Sequence, residues 1–560
     1  MPTPLADKMR AAPVTGERKP VTAVFVDVVG STALAESMDP EDWIGIMNRA
    51  FELLSKAIYR YEGTIASFSG DGLLAFFGAP VAHEDDPERA ALASLAMTDA
   101  IAEYRSYLAA TRGIDFQVRV GINTGEVVVG NVGSDLRYEY TALGDTMNVA
   151  ARMEAAAAPG EVLVTADTHR FIAARFDTAD RGEIRVKGKS RPVHAFQIRT
   201  RKATPETTRG VAGLRSAMVG RDAELAALKE QLDAVRAGSG RVAVVRGEPG
   251  IGKSRLLAEC KRIASIQDAD LGWAEGQCVS YGRNLPHHLL IDLVRSILGV
   301  SPSADDEESR TALHSRADEL LGNEARETVV YLEHLLSLEQ DTSTAQRLDS
   351  LDPAGLQADY VSSLRRFIAA EAAVAPLVLA CEDVHWADPS SIRILERLMP
   401  VGQQHPVLWI LTLRPGVSPD TEALLAAAQV SFGDAARQLH LEPLSSENSR
   451  ELVANLLEIE LLPDPVRRLI RDKSDGNPFF VEEVIRMLIE RGALERHHGT
   501  WSASRAIDDV QIPDNLHGLL LARIDALPTE ARHTLLVASV IGRQFAANVL
   551  EQVLDAAATR

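Results

Sequence analysis

The sequence predicts two folded modules in series. The first is an α+β domain, a ferredoxin-like mixed sheet covered by helices. The second is an α/β domain followed by a helical, winged-helix-like region. Three observations carry this. Apolar strand runs at 21–26, 64–68 and 73–77 are interleaved with long helical patterns. The stretch RTRKATPETTRGVAGLRSA at 199–217 is basic, Thr-rich and almost without large apolar residues, so it reads as a linker. Beyond it, an apolar strand at Arg241–Val245 enters a Gly-rich loop that opens a helix. At 560 residues the chain has room for about three domains.

Bulk properties exclude several classes. A net charge of −20 argues against a broad nucleic-acid surface. No apolar run is long enough to span a bilayer. The first residues carry Pro and charge but no apolar signal core, and read as a disordered leader. Cys260, Cys278 and Cys381 are far apart and lack metal-ligand spacing, which suits reduced buried thiols and a cytoplasmic address.

In the first module, Asp27 ends the strand Val21–Val26, and the turn Gly30-Ser31-Thr32 follows. Amides opening a helix there form an anion nest. Glu41–Tyr61 is an amphipathic helix, with Pro40 just ahead of it. Thr64–Gly78, TIASFSGDGLLAFFG, reads as two strands joined by Ser69-Gly70-Asp71-Gly72, whose glycines accept the positive φ of a tight turn. If these strands neighbour the first, Asp27 and Asp71 converge at one strand end and can share divalent cations. His83-Glu84-Asp85-Asp86-Pro87 reads as a solvated helix cap. Phe116–Gly133, punctuated by Gly121 and Gly125, reads as a β-hairpin. In YTALGDTMNVAARME, at 140–154, Asn148 and Arg152 are four apart on one helix face.

FVDVVGST, FSGDGLLAFFG, VRVGINTGEVVVGNVG, YTALGDTMNVAARME and IRVKGKSRPVHAF, in that order, resemble the class III nucleotidyl cyclases over about 20–198. The resemblance implies two Mg²⁺ or Mn²⁺ ions on Asp27, Val28 and Asp71. It implies substrate contacts at Gly30, Ser31, Thr32, Ser67, Thr141 and Lys187. Asn148 would orient the ribose, Arg152 would steady the transition-state phosphate, and Lys187 would meet the terminal phosphates. Ser67 departs from the family, which usually has a base-selecting lysine there. A serine is shorter and uncharged, though it still donates a hydrogen bond. With a single copy of each half-site, a homodimer through the cyclase domain is implied.

The second module begins at Met218-Val219-Gly220-Arg221. Gly247-Glu-Pro-Gly250-Ile-Gly252-Lys253-Ser254 is a complete phosphate-binding loop in strand–loop–helix context. Its amides cradle phosphates, Lys253 reaches the β/γ oxygens, and Ser254 ligates Mg²⁺. A strand at Pro376–Cys381 ends in Glu382-Asp383, one acid for Mg²⁺ and one for the attacking water; spacing leaves the assignment open. Arg414 ends the strand Val407–Leu413, as a γ-phosphate sensor or a solvated strand-end charge. VGRDAEL, GEPGIGKSRL, VLACEDVHWADPSS, LTLRP and DGNPFF resemble the STAND-type signalling ATPases of the AAA-like group. That implies Mg²⁺-ATP at the loop, with Gly476-Asn477-Pro478 packed near adenine.

The expected divisions are a leader at 1–19, the cyclase domain at 20–198, the linker at 199–217, the ATPase domain at 218–440, its helical domain at 441–510 and the start of a winged-helix-like region at 511–560. No helical repeats follow before Arg560, which would make the chain short for the ATPase family. The winged-helix-like end is a possible seat for a protein partner. The expected activity is adenylate cyclase: ATP to 3′,5′-cyclic AMP and pyrophosphate. Ser67 favours the alternative, a cyclase-like nucleotide-binding switch governed by the ATPase.

Overall fold

The computed structural model describes residues 17–134, 137–185, 192–202, 217–267, 271–279, 286–301, 304, 306–457, 474–490, 494–497 and 500–503, with scattered positions from 524 to 539. Lys187 and nearly all of the expected winged-helix-like region lie outside them. The chain divides into two compact units, one holding the residues up to Lys202 and the other Ala203–Val510.

The first unit runs β1 (Glu17–Val28), α1 (Ser31–Ser37), α2 (Pro40–Arg60), β2 (Thr64–Ser69), β3 (Gly72–Phe77), α3 (Asp86–Arg112), β4 (Val118–Ser134), β5 (Arg137–Leu143), α4 (Asp145–Ala156), β6 (Val162–Thr165), α5 (Ala166–Ile172), β7 (Phe176–Ile184) and β8 (Val193–Arg201). The sheet has the order β2-β3-β1-β4-β6-β8-β7, with β5 paired to β4. It is mixed: β1 is antiparallel to both β3 and β4, and β6 is parallel to β4. β1 starts at Glu17 and β8 reaches Arg201, so the sheet takes in the edges of the expected leader and linker.

Helix α2 forms where its pattern says it should. Asp39 caps the Glu41 amide at 2.9 Å, Pro40 occupies the first turn, and Ile46, Met47, Ala50, Leu54 and Ile58 make one buried stripe. Leu54, Ile58, Phe76, Met97 and Phe116 are among the largest fully buried side chains.

Two expectations are corrected. Residues 116–133 are not a hairpin: β4 passes straight through Gly121 and Gly125 and pairs with β5 beyond them. These glycines make room rather than a turn. A Cβ on Gly121 would sit 1.9 Å from the Glu154 amide nitrogen, and one on Gly125 would sit 2.7 Å from Thr146 Oγ1. Nor is 83–87 a solvated cap. Arg89 is 0% exposed, and donates to Asp85 at 2.8 Å and to Glu62 at 2.6 Å. His83 bridges Glu62 and Asp86, each at 3.1 Å. Burial alone would lower the His83 pKa, but its hydrogen bonds to Asp86 and Glu62 hold it up to about 9.

The second unit has α6 (Asp222–Arg236), β9 (Arg241–Gly247), α7 (Lys253–Gln267), β10 (Gly272–Gln277), β11 (Leu377–Glu382), β12 (Val407–Leu413), β13 (Ala436–Leu441), α8 (Ser446–Leu457) and α9 (Pro478–Glu490), with further helices over 288–374. Its parallel sheet has the order β10-β11-β12-β9-β13. All of β12 is buried, as a strand covered on both faces must be. The three cysteines are free and buried, and burial pushes the Cys260 and Cys381 thiols up to about 12. Among the described residues, no helix is long and apolar enough to cross a membrane.

Candidate functional sites

The first site is built by strand register. Asp27 of β1 lies opposite Gly72 of β3, so the turn carrying Asp71 closes over the end of β1. The Val28 amide donates to the Asp71 carbonyl at 3.3 Å. Gly30, at φ +68°, turns the chain into α1, and the buried Ser31 hydroxyl donates to Asp71 Oδ2. Thr32, next along, is exposed. Asp27, Val28, Asp71, Gly30 and Ser31 are therefore brought together.

Two further groups join them. Arg119 of β4 lies opposite Asp27 on its other side, and its Nη2 donates to Asp27 Oδ2 at 2.7 Å. Its Nε is 2.7 Å from Glu154 Oε1. Glu154 is pushed up to about 7 by burial, with the charges of Asp27 and Asp71 adding and Arg119 opposing. Arg119 drew no attention in the sequence because a polar residue in an alternating strand looks like a solvent-facing one. Its partner across the sheet, Asp27, was the available signal.

Asp27 and Glu154 share the Arg119 guanidinium, and Asp71 lies at the turn beside them, so acidic side chains suited to a divalent cation gather at this strand end. Among the described residues no group of three or more His, Cys, Asp or Glu side chains is placed to hold a metal ion, so Asp27 and Asp71 would act as a pair. A metal held by Asp27 and Asp71 would keep coordination positions for substrate oxygens.

Asn148 and Arg152 share α4, Asn148 exposed and Arg152 half-buried. Arg152 Nη1 is buried without a hydrogen-bond partner among the described residues, a donor with capacity for an anion. The structure shows no hydrogen bond from either residue to the aspartates. Thr141 lies on β5 opposite Gly130 of β4. Ser67 sits half-buried on β2, at a register shift between Ile65 and Ser67.

The second site lies where β9 runs into α7. Gly250 and Gly252 take φ +75° and +103°, the left-handed backbone that their side-chain-free Cα permits. A Cβ on Gly247 would come within 2.7 Å of Ile251. Lys253 Nζ donates to the Gly247 and Glu248 carbonyls at 2.8 and 3.1 Å. Ser254 Oγ donates to Glu382 Oε2 at 2.7 Å, pairing the hydroxyl and the acid that can share a Mg²⁺ shell. Asp383 has φ +53°, and its amide donates to Thr412 Oγ1 at 2.9 Å. The half-buried Arg414 places its guanidinium over the Trp386 ring, 5.5 Å from the centroid. Pro478 opens α9 next to the loop, where the Phe479 amide meets the Gly250 carbonyl at 3.3 Å.

Residues 14–200 match the family profile of the adenylate and guanylate cyclase catalytic domain, and 217–410 that of an AAA ATPase domain. Residues 445–501 match a domain of unknown function. An uncharacterized protein of Rhizobium meliloti (strain 1021) is 29% identical over 545 residues, which cover 96% of this chain and 50% of that protein. Adenylate cyclase 1 of the same organism is 39% identical over 137 residues, 24% of this chain and 21% of that one. The chain therefore spans about half the length of the first relative and about a fifth of the second. Among solved structures, the adenylyl cyclase CyaB from P. aeruginosa is 35% identical, with a TM-score of 0.33, over 33% of this chain and 97% of that one.

Proposed function

We propose that this member of the class III nucleotidyl cyclases, whose catalytic domain is joined in one chain to an AAA ATPase domain, converts ATP to 3′,5′-cyclic AMP and pyrophosphate. The observation that carries this reading is the convergence of Asp27 and Asp71 at the β1 end, with the buried Ser31 hydroxyl on Asp71. Asp27, Val28 and Asp71 would hold two Mg²⁺ or Mn²⁺ ions, which when bound supply an activated 3′-oxygen and charge neutralisation at the triphosphate. Arg119 offsets the negative charge of the Asp27–Glu154 pair before substrate arrives. Arg152, with its unused buried donor, is the group for the charge that develops on the α-phosphate, and Asn148 orients the ribose. Gly30, Ser31 and Thr32 receive the phosphates, Lys187 their terminal end, and Ser67 and Thr141 read the base.

Asn148 and Arg152 make no hydrogen bond to Asp27 or Asp71 within one chain, which favours a homodimer whose sites are completed across the interface. Mg²⁺-ATP at the second site rests on Lys253, Ser254 and Glu382. The buried, unreactive thiols suit a cytoplasmic protein. The test incubates the purified full chain with ATP or GTP and Mn²⁺. Cyclic AMP should form, and Asp71→Asn should abolish it without lowering the thermal midpoint. Formation of cyclic GMP alone would overturn the adenylate assignment, and undiminished turnover in Asp71→Asn would overturn the metal assignment.

A further inference from the structure

Every backbone carbonyl from Gly247 to Ile251 has a donor. Lys253 Nζ serves Gly247 and Glu248. Asn477 Nδ2 donates to the Pro249 carbonyl at 2.9 Å, and the Phe479 amide to that of Gly250 at 3.3 Å. Arg221 Nη2 donates to the Ile251 carbonyl at 3.2 Å. The last three donors come from outside the strand–loop–helix unit: Arg221 just ahead of α6, and Asn477 and Phe479 at the start of α9.

The outside donors are themselves joined. Arg221 Nη2 also donates to the Glu442 carbonyl at 2.7 Å, and the Leu444 amide donates to the Gly476 carbonyl at 2.7 Å. The contacts leave no slack. A Cβ on Gly250 would meet Phe479 Cβ at 2.7 Å and Asn477 Oδ1 at 3.0 Å, and one on Gly476 would meet the Leu444 carbonyl at 2.5 Å. Arg221 is buried, so its fork has no solvent to turn to.

A phosphate-binding loop works through its N–H groups. In a trans peptide the C=O of one residue and the N–H of the next point in opposite directions. A donor that holds the Pro249 carbonyl outward therefore aims the Gly250 N–H inward. The donor on Ile251 does the same for the N–H of Gly252. Asn477 and Arg221 grip the loop from its outer side at these two peptides, without needing to touch a nucleotide.

We propose that Arg221 and Asn477 are positioning residues that set the phosphate-binding amides of the loop and tie its ATP affinity to the docking of the segment from Glu442 to α9. This rests on the reading of Gly247–Ser254 as an ATP site. Asn477→Asp keeps the Oδ1 that accepts the Phe479 amide at 3.1 Å and removes the donor to Pro249 but adds a negative charge, so it is read beside Asn477→Leu, which removes the donor without charge. Arg221→Lys keeps the charge and removes the fork.

The experiment titrates Mg²⁺-ATP into the full chain carrying Asp71→Asn, so that the first site does not contribute, and records thermal midpoints without nucleotide. Lys253→Ala is the control for the site itself. Asn477→Leu and Asn477→Asp should each raise the Kd roughly fivefold to tenfold, with the thermal midpoint lowered by no more than roughly 2–4 °C, since the same bond is made without nucleotide. Arg221→Lys should weaken ATP at least as much. If Lys253→Ala abolishes binding and Asn477→Asp leaves the Kd unchanged, the positioning role is overturned while the ATP site stands. If Lys253→Ala leaves binding intact, the ATP-site reading itself has failed. A larger fall in midpoint, or weaker binding in Asn477→Asp but not in Asn477→Leu, would assign the effect to the fold or to the added charge and overturn the proposal.

Discussion

Gly121 on β4 lies under the helix that carries Asn148, Arg152 and Glu154. A Cβ built there would meet backbone only: the Glu154 nitrogen at 1.9 Å, the Ala150 carbonyl at 2.4 Å and Glu154 Cα at 2.6 Å. Ordinary contact begins near 3.4 Å, so Gly121→Ala must push α4 away from the sheet by about 1.5 Å at that point. No rotamer change can relieve this, because the opposing atoms belong to the helix itself. Overpacking of this kind costs about 1–3 kcal/mol. That lowers the thermal midpoint by roughly 2–4 °C per kcal/mol for a domain of this size. The functional effect should be larger. Misplacing a reacting group by about 1 Å costs on the order of 10²-fold, and α4 carries both groups proposed to act on the sugar and phosphate. Cyclic nucleotide formation by Gly121→Ala should therefore fall on the order of 10²-fold while most of the protein stays folded at 25 °C. Gly45→Ala is the control: it lies in α2 with nothing within 4 Å of its Cβ. It should be neutral, or stabilising by about 0.5–1 kcal/mol. A Gly121→Ala enzyme with turnover within twofold of the parent would refute the idea that α4 must sit this close to β4.

Three other outcomes are expected. His83 is held up to about 9 by Asp86 and Glu62 against the opposing effect of burial, from an ordinary value of 6.5. A raised folded-state pKa stabilises fully below pH 6.5 and is lost as pH rises through 9, so the thermal midpoint of the first unit should drop across that window and His83→Gln should flatten the drop; a parent with no such drop would remove His83 as its source. An Asp71→Ala chain mixed with an Arg152→Ala chain should recover part of the activity, and no recovery with heterodimers present would argue for a site within one chain. Ser67→Lys should raise the kcat/KM ratio for ATP over GTP by roughly 1–3 kcal/mol, the worth of a base-edge contact; an unchanged ratio would mean that Ser67 does not face the base.

What was legible in the sequence was local. The Ser69–Gly72 turn, the end of the strand at Asp27 and the loop Gly247–Ser254 each carry their geometry in a few adjacent residues. What was missed depends on residues far away in the chain. Acids at a helix start look the same whether solvent or a buried arginine faces them, and Glu62, which decides the matter for Arg89 and His83, comes from the end of the preceding helical segment. Gly121 and Gly125 look like turn punctuation until the atoms of α4 occupy the space a side chain would need. Arg119 could be recognised only through the register that sets it opposite Asp27. The grip on the ATP loop is the extreme case, since Asn477 reaches Pro249 across 228 positions of sequence.

The two sites present opposite electrostatic faces to what we propose is the same nucleotide. Around Asp27, the Arg119 guanidinium is shared between Asp27 and Glu154 and makes no bond to Asp71, so a bare triphosphate approaching that strand end meets carboxylate charge. On the proposed reading, divalent cations would bind there before or with the substrate. Around Gly250 the carbonyls are already turned outward and held, so the loop offers amides and Lys253 to a phosphate. Its acid, Glu382, accepts the Ser254 hydroxyl. Metal concentration should therefore govern the first site more steeply than the second.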